Sequence, residues 1–122
     1  MQRKSTPNIA IIRPRITFGP KLAVGPGKID LLRAVAETGS ISAAARALGI
    51  PYKRAWLLID TMNQGFVQPV VERSVGGKGG GSARLTPLGD ALLRHYDTIE
   101  SACQAAATDS INSLAALLLC KD

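Results

Sequence analysis

The strongest constraint on this chain is a pair of helical patterns separated by a single glycine. Between Ser40 and Gln64, a short alanine-rich run with Ile41, Ala44, Ala45 and Leu48 facing inward meets Gly49, and a second helical pattern opens at Pro51. Ser40 or Ser42 supplies an N-cap for the first helix, Gly49 supplies a left-handed stop, and the fixed φ of Pro51 suits the first helical position of the second. The small side chains of Ala43, Ala44 and Ala45 let another helix approach closely. The second helix buries a stripe of Ala55, Leu58, Ile59 and Met62, leaving Lys53, Asp60 and Gln64 on its outer side with Arg54 on the flank. Two helices joined by so short a turn pack crosswise, and the second protrudes.

The flanking segments complete a pattern. Ile12, Pro14, Ile16 and Phe18 alternate with Arg13, Arg15 and Thr17, which predicts a half-buried strand, at a sheet edge because proline donates no ladder hydrogen bond. Gly19-Pro20 and Gly25-Pro26-Gly27 punctuate a loop. From Lys28 the spacing of Ile29, Leu32, Val35 and Ala36, with Leu31 beside them, predicts a helix ending near Thr38-Gly39. Val67 to Val75 reads as a strand and Arg84 to Thr86 as its short return. Between them lie Gly76-Gly77-Lys78-Gly79-Gly80-Gly81-Ser82. This is no Walker-type phosphate loop, because Lys78 is followed by Gly79 rather than Ser or Thr and a strand comes next rather than a helix. It fits the tip of a wing whose glycines let the backbone lie close to a duplex while Arg73, Lys78 and Arg84 meet phosphates. Thr86-Pro87 caps a last helix with Leu88, Leu92, Tyr96, Ile99 and Cys103 on one face. The pattern leaves open whether that helix breaks near Thr108-Asp109 or runs on to Leu119. The fold class expected is therefore α+β, mainly helical: a winged helix-turn-helix over 9–86, preceded by a flexible basic arm at 1–8 and followed by a C-terminal helix over 87–122.

Charge points to the partner. Residues 1–84 carry thirteen basic and four acidic side chains, a net +9, whereas residues 85–122 carry two basic and five acidic, a net −3. A cationic body offered to a polyanion is one reading of this split, and a merely solvated basic surface is the plainer one. With 122 residues and 46% of them hydrophobic, the chain suffices for one packed domain. Its longest apolar run, Leu114 to Cys120, is far below the ~20 residues of a membrane span. Cys103 and Cys120 form neither a disulfide framework nor a metal-ligand spacing, so a cytoplasmic protein with no membrane partner is expected. A lone histidine, His95, and no nucleophile–base pairing argue against an enzyme. Five aromatics in the whole chain are few for single-strand stacking modules that bind RNA.

Residues 51–64 would span about 21 Å as a helix of ~10–12 Å diameter, which fits a ~12 Å major groove. The candidate DNA-contacting set is Ser40, Ser42, Tyr52, Lys53, Arg54, Trp56, Arg73, Lys78 and Arg84. Two of these have plainer alternatives: Tyr52 as a hydrophobic staple, and Trp56 as packing against the wing.

The segments Gly39-Ser40-Ile41-Ser42-Ala43-Ala44-Ala45, Tyr52-Lys53-Arg54-Ala55-Trp56, Met62-Asn63, Val71-Glu72-Arg73 and Gly76-Gly77-Lys78-Gly79-Gly80-Gly81, with Leu85-Thr86 and Gly89 after them, resemble the N-terminal DNA-binding domain of the molybdate-responsive ModE regulators. That domain is itself similar to the winged helix-turn-helix of LysR-type regulators, and the likeness covers about residues 25–100. The resemblance implies a dimeric transcription regulator whose third helix enters the major groove, supplying Tyr52, Lys53, Arg54 and Trp56. Its wing supplies Lys78, and its long last helix pairs with a second subunit. Two departures stand out. The family binds molybdate in C-terminal domains, where this chain has a helix and a short tail, so no cofactor is expected. Pro51 stands where the family often has serine, which removes a hydroxyl cap and a backbone donor. The expected partners are double-stranded DNA and a second copy of the chain. The alternative is a winged-helix protein-interaction module that has lost DNA binding.

Overall fold

The computed structural model describes residues 10–74 and 82–119. In order, these form β1 (Ile16–Phe18), β2 (Leu22–Val24), α1 (Pro26–Thr38), α2 (Ile41–Leu48), α3 (Tyr52–Gly65), β3 (Val71–Ser74), β4 (Ser82–Leu85) and α4 (Pro87–Ala115). The arm at 1–8 and the glycine-rich tip with Lys78 lie outside the described residues.

The strand expected over residues 12–18 is confined to Ile16–Phe18. Its antiparallel partner, Leu22–Val24, falls where the sequence reads as a loop, with Ile16 opposite Val24. Three residues between Gly-Pro punctuations carry no measurable period, and Gly19, at φ +67°, makes the reversal. Residues 10–14 form an extended strap instead. Their alternation survives in burial, with Ile12 and Pro14 half-buried and Arg13 exposed. The strap lies antiparallel along α4. The Tyr96 hydroxyl donates to the Pro14 carbonyl at 2.7 Å. The Gln104 amide accepts from the Ile12 N–H and donates to the Ala10 carbonyl, each at 3.1 Å. Arg13 reaches both Asp30 of α1 and Glu100 of α4, and its hydrogen bond to Asp30 raises its pKa further.

Helices α1 and α2 end on left-handed glycines, Gly39 (φ +74°) and Gly49 (φ +71°), as expected. In α1 the buried arc includes Ala34 rather than Ala36, because α2 and α4 both cover the helix and Ala36 falls beyond that arc, in its last turn. In α2, Ser40 is the cap: its Oγ accepts from the Ala43 N–H at 3.0 Å. Leu48, expected inside, is 38% exposed, and Ile50 packs on the core after the turn. Pro51 sits one position earlier than expected. Its ψ of 146° is extended, so it is the N-cap of α3 and Tyr52 is the first helical residue.

The main core joins Leu31, Leu32 and Val35 of α1, Ala44 and Ala45 of α2, and Ala55, Ile59 and Met62 of α3 to Val70, Val71 and Ala83. Leu58 is only partly buried against it. A second cluster of Val24, Ile29 and Tyr96 ties the first hairpin to α4. Strand β3 begins at Val71, not Val67, which is 92% exposed. The connector before it is held down by Thr86, whose N–H donates to the Val70 carbonyl at 3.0 Å and whose hydroxyl donates to the Pro69 carbonyl at 2.7 Å. The same hydroxyl accepts from the Gly89 N–H and caps α4. Helix α4 passes Thr108-Asp109 unbroken and runs 29 residues, about 43 Å, well past the body.

Candidate nucleic-acid interface

The body presents one outer edge of α3. Ala55, Ile59 and Met62 turn into the core, which leaves Lys53, Arg54, Leu57, Thr61 and Gln64 exposed. Of the outer residues expected from the sequence, Asp60 is half-buried and accepts from the Gln64 amide at 2.9 Å. The N-terminus of α3 has no side-chain cap and no acidic residue in its first turn. Unsatisfied N–H groups and two cations therefore coincide there, an arrangement that favours a phosphate or an electronegative base edge. Tyr52 is 48% exposed at the same end.

Beside α3 stands the second hairpin, whose register pairs Val71 with Leu85, Glu72 with Arg84 and Arg73 with Ala83. Strand alternation sorts its charges by face. Val71 and Ala83 are buried, so Arg73 shares their inward-facing side and its guanidinium lies over the Trp56 ring, 5.9 Å from the centroid. Arg84 stands on the opposite face and pairs with Glu72 at 3.6 Å. The two wing arginines are thus inequivalent. Arg73 lies over Trp56 of α3, while Arg84 is partly neutralised on the opposite face. Trp56 is half-buried, packs against the main core and carries Arg73 of the wing over its ring, the wing contact being one of the two roles its sequence position offers.

The α1–α2 corner joins the same surface, since the Gly39 carbonyl accepts from the Ala83 N–H at 2.9 Å. Ser40 is spent on its capping bond, whereas Ser42 is exposed in the first turn of α2, its Oγ accepting from Arg46 at 3.2 Å. Of the residues expected from the sequence, Ser42, Tyr52, Lys53, Arg54 and Arg73 are exposed, Ser40 caps α2, Trp56 is half-buried against the core, and Arg84 stands on the opposite face of the hairpin from Arg73, paired with Glu72. Lys78 lies outside the described residues. Two side chains escape a reading of the sequence alone. Arg46 is exposed one turn after Ser42, a spacing that could have revealed it. Asn63, half-buried, hydrogen-bonds the backbone at the start of β3, and no local sequence signal announces that contact.

Residues 27–90 match the family described as bacterial regulatory helix-turn-helix proteins, lysR family. Among similar proteins, the DNA-binding transcriptional dual regulator ModE of Escherichia coli (strain K12) is 46% identical over 86 residues, 70% of this chain and 33% of that protein. The molybdenum-pterin-binding protein MopA of Rhodobacter capsulatus is 45% identical over 83 residues, 68% of this chain and 31% of that protein. The chain therefore spans about a third of the length of these curated relatives. The crystal structure of the DNA-binding domain of CbnR in complex with DNA aligns at TM-score 0.54 and 25% identity, covering 75% of this chain and 97% of that one. The full-length regulator LysG of Corynebacterium glutamicum, at TM-score 0.53 and 18% identity over 78% of this chain and 30% of that one, shares the fold. The likeness to the N-terminal domain of ModE regulators and the winged helix-turn-helix architecture expected from the motifs are both met.

Proposed function

The chain belongs to the lysR family of bacterial regulatory helix-turn-helix proteins, and from that premise we propose that it is a sequence-specific DNA-binding regulator of transcription. The observation that carries this reading is the first turn of α3, which is uncapped, cationic through Lys53 and Arg54, and exposed on the helix whose Trp56 the wing's Arg73 overlies.

In this reading α3 enters the major groove end-on. Arg54 reads a base edge, for which a guanidinium offers two parallel donors matched to guanine O6 and N7. Lys53 and the free N–H groups of the first turn hold phosphate. Leu57, exposed on the same outer side as Lys53, offers an apolar contact of the kind a thymine methyl accepts. Ser42 in the first turn of α2 and Arg46 one turn on lie against one backbone strand, and Arg73 with Lys78 against the flanking one. Such phosphate contacts fix register, while the base contacts specify sequence.

Two copies of the chain form the binding unit. Beyond Gln104, α4 projects from its own body, and it and the residues after it leave Leu114 63%, Leu117 80% and Leu118 66% exposed, an apolar surface that a second copy would cover. A dimer implies half-sites about one helical turn apart. The names of the ModE and molybdenum-pterin-binding relatives support genes of molybdenum handling as the regulated set, in the cytoplasm where a chromosome is accessible.

Selection of genomic fragments followed by fluorescence anisotropy on the best site tests the reading. Wild-type chain is expected to bind with log K falling by about 0.9 per phosphate contact for each tenfold rise in salt. Arg54→Ala is expected to lose about 1–3 kcal/mol at one or two base pairs only. No binding to any duplex at low salt would overturn the reading and leave the interaction module.

A further inference from the structure

We propose that Asn63 is the positioning residue that seats the wing on the recognition helix and thereby fixes the reach between groove and flanking backbone. The proposal rests on the DNA-binding function for its consequence, though not for its geometry.

Asn63 lies in the last turn of α3, and its one side chain serves three backbone groups at the root of β3. Its Oδ1 accepts from the Val70 N–H at 2.8 Å and the Val71 N–H at 3.3 Å, and its Nδ2 donates to the Val71 carbonyl at 3.3 Å. Trp56 stands seven residues earlier, two turns or about 10.5 Å along the same face of the helix. Strand β3 therefore starts at Asn63, and two residues on its Arg73 side chain reaches over the Trp56 ring. The strand points toward the end of α3 that bears Lys53 and Arg54. Asn63 is the polar clamp from α3 on this run, because the other anchor of the connector, Thr86, belongs to the α4 side.

The hairpin is held to α1 by the Ala83 N–H on the Gly39 carbonyl and by Val71 and Ala83 in the core, whereas its polar hold on α3 is the Asn63 clamp. An amide fits the task because it both accepts and donates, so it satisfies an N–H pair and a carbonyl that no apolar side chain could serve. Loss of the clamp leaves those groups to water and loosens the wing over Trp56, while Val71 and Ala83 stay packed with Leu32, Ala44, Ala55, Ile59 and Met62 in the core.

The test compares wild-type chain with Asn63→Ala and Asn63→Asp, the latter keeping the acceptor for both N–H groups. Acrylamide quenching of Trp56, the single tryptophan, reads the seat without DNA. Quenching is expected to rise at least twofold in Asn63→Ala and by less in Asn63→Asp, which keeps the acceptor but sets a carboxylate oxygen against the Val71 carbonyl. Anisotropy with a duplex the wild type binds reads the consequence. For each phosphate that the displaced wing no longer reaches, Asn63→Ala is expected to weaken binding about eightfold at 0.1 M salt and to flatten the salt slope by about 0.9. Arg73→Ala should then cost much less in the Asn63→Ala background than it does alone. Should Asn63→Ala fail to fold by circular dichroism, Asn63→Gln, which displaces the amide by one methylene, carries the same two readings. Wild-type quenching, an unchanged salt slope, or full additivity with Arg73→Ala would each overturn the proposal. Failure of the wild type to bind any duplex would instead sink the DNA-binding reading and leave the quenching result to decide the seat.

Discussion

Gly89 has no room for any other side chain, because a Cβ there would lie 2.3 Å from the Val70 carbonyl oxygen, a backbone atom that Thr86 already holds. Gly89→Ala is expected to cost about 2 kcal/mol or more through displacement of the connector, lowering Tm by ~8 °C or more. Gly27, in the first turn of α1 with open space around it, is the control: Gly27→Ala should gain about 0.4–1 kcal/mol. Thermal melts of both variants check the pair, and a neutral Gly89→Ala would contradict the close approach. Tyr96 is buried with its hydroxyl on Pro14, and burial pushes its pKa above the ordinary value near 10. Below pH ~10 the phenol is neutral in folded and unfolded chains alike; above it the unfolded chain ionises first, so stability declines as pH rises toward the folded pKa. Tyr96→Phe should cost about 1 kcal/mol at neutral pH and show a shallower decline above pH ~10, as read by urea melts across pH.

Among the elements, α3 and the hairpin beside it carry the cations proposed to face a duplex. The Glu72–Arg84 pair holds a cation on the outer face of the wing and cancels part of its charge. Glu72→Gln releases Arg84 and is expected to tighten DNA binding between twofold and about eightfold at 0.1 M salt, measured by anisotropy. Unchanged or weaker binding would show that Arg84 points away from DNA even when free. The helices are legible in the sequence because their signals are local: Gly39 and Gly49 stop α1 and α2, Ser40 and Thr86 cap α2 and α4, and the apolar spacing of Ala55, Ile59 and Met62 names the inner face of α3. Leu22–Val24 is not legible, since a three-residue strand is defined by its partner rather than by a period of its own. The different faces of Arg73 and Arg84 emerge from strand alternation once the register is known. Register rests on the long-range contacts of Val70, Val71 and Ala83 with the helical core, which no local pattern encodes. Asn63 is invisible for the same reason: its partners lie across a turn whose shape is set by Thr86 and Gly89.

Across the whole molecule, charge and apolar surface divide the labour. The cationic body carries α3 and the wing, while the acidic C-terminal third is a helix that outruns its own core and ends in exposed leucines. Light scattering at micromolar concentration is expected to give twice the 12.8 kDa chain mass, and a monomer there would contradict pairing through α4. The central claim is that the cationic N-terminus of α3 occupies the major groove. Methylation interference by dimethyl sulfate on a selected site reads it most directly, because the reagent marks guanine N7 on the major-groove edge. Binding is expected to fail when guanines in two patches about one helical turn apart are methylated, and Arg54→Ala should erase the interference at one guanine in each patch. Tight binding that ignores N7 methylation throughout the site would contradict the account.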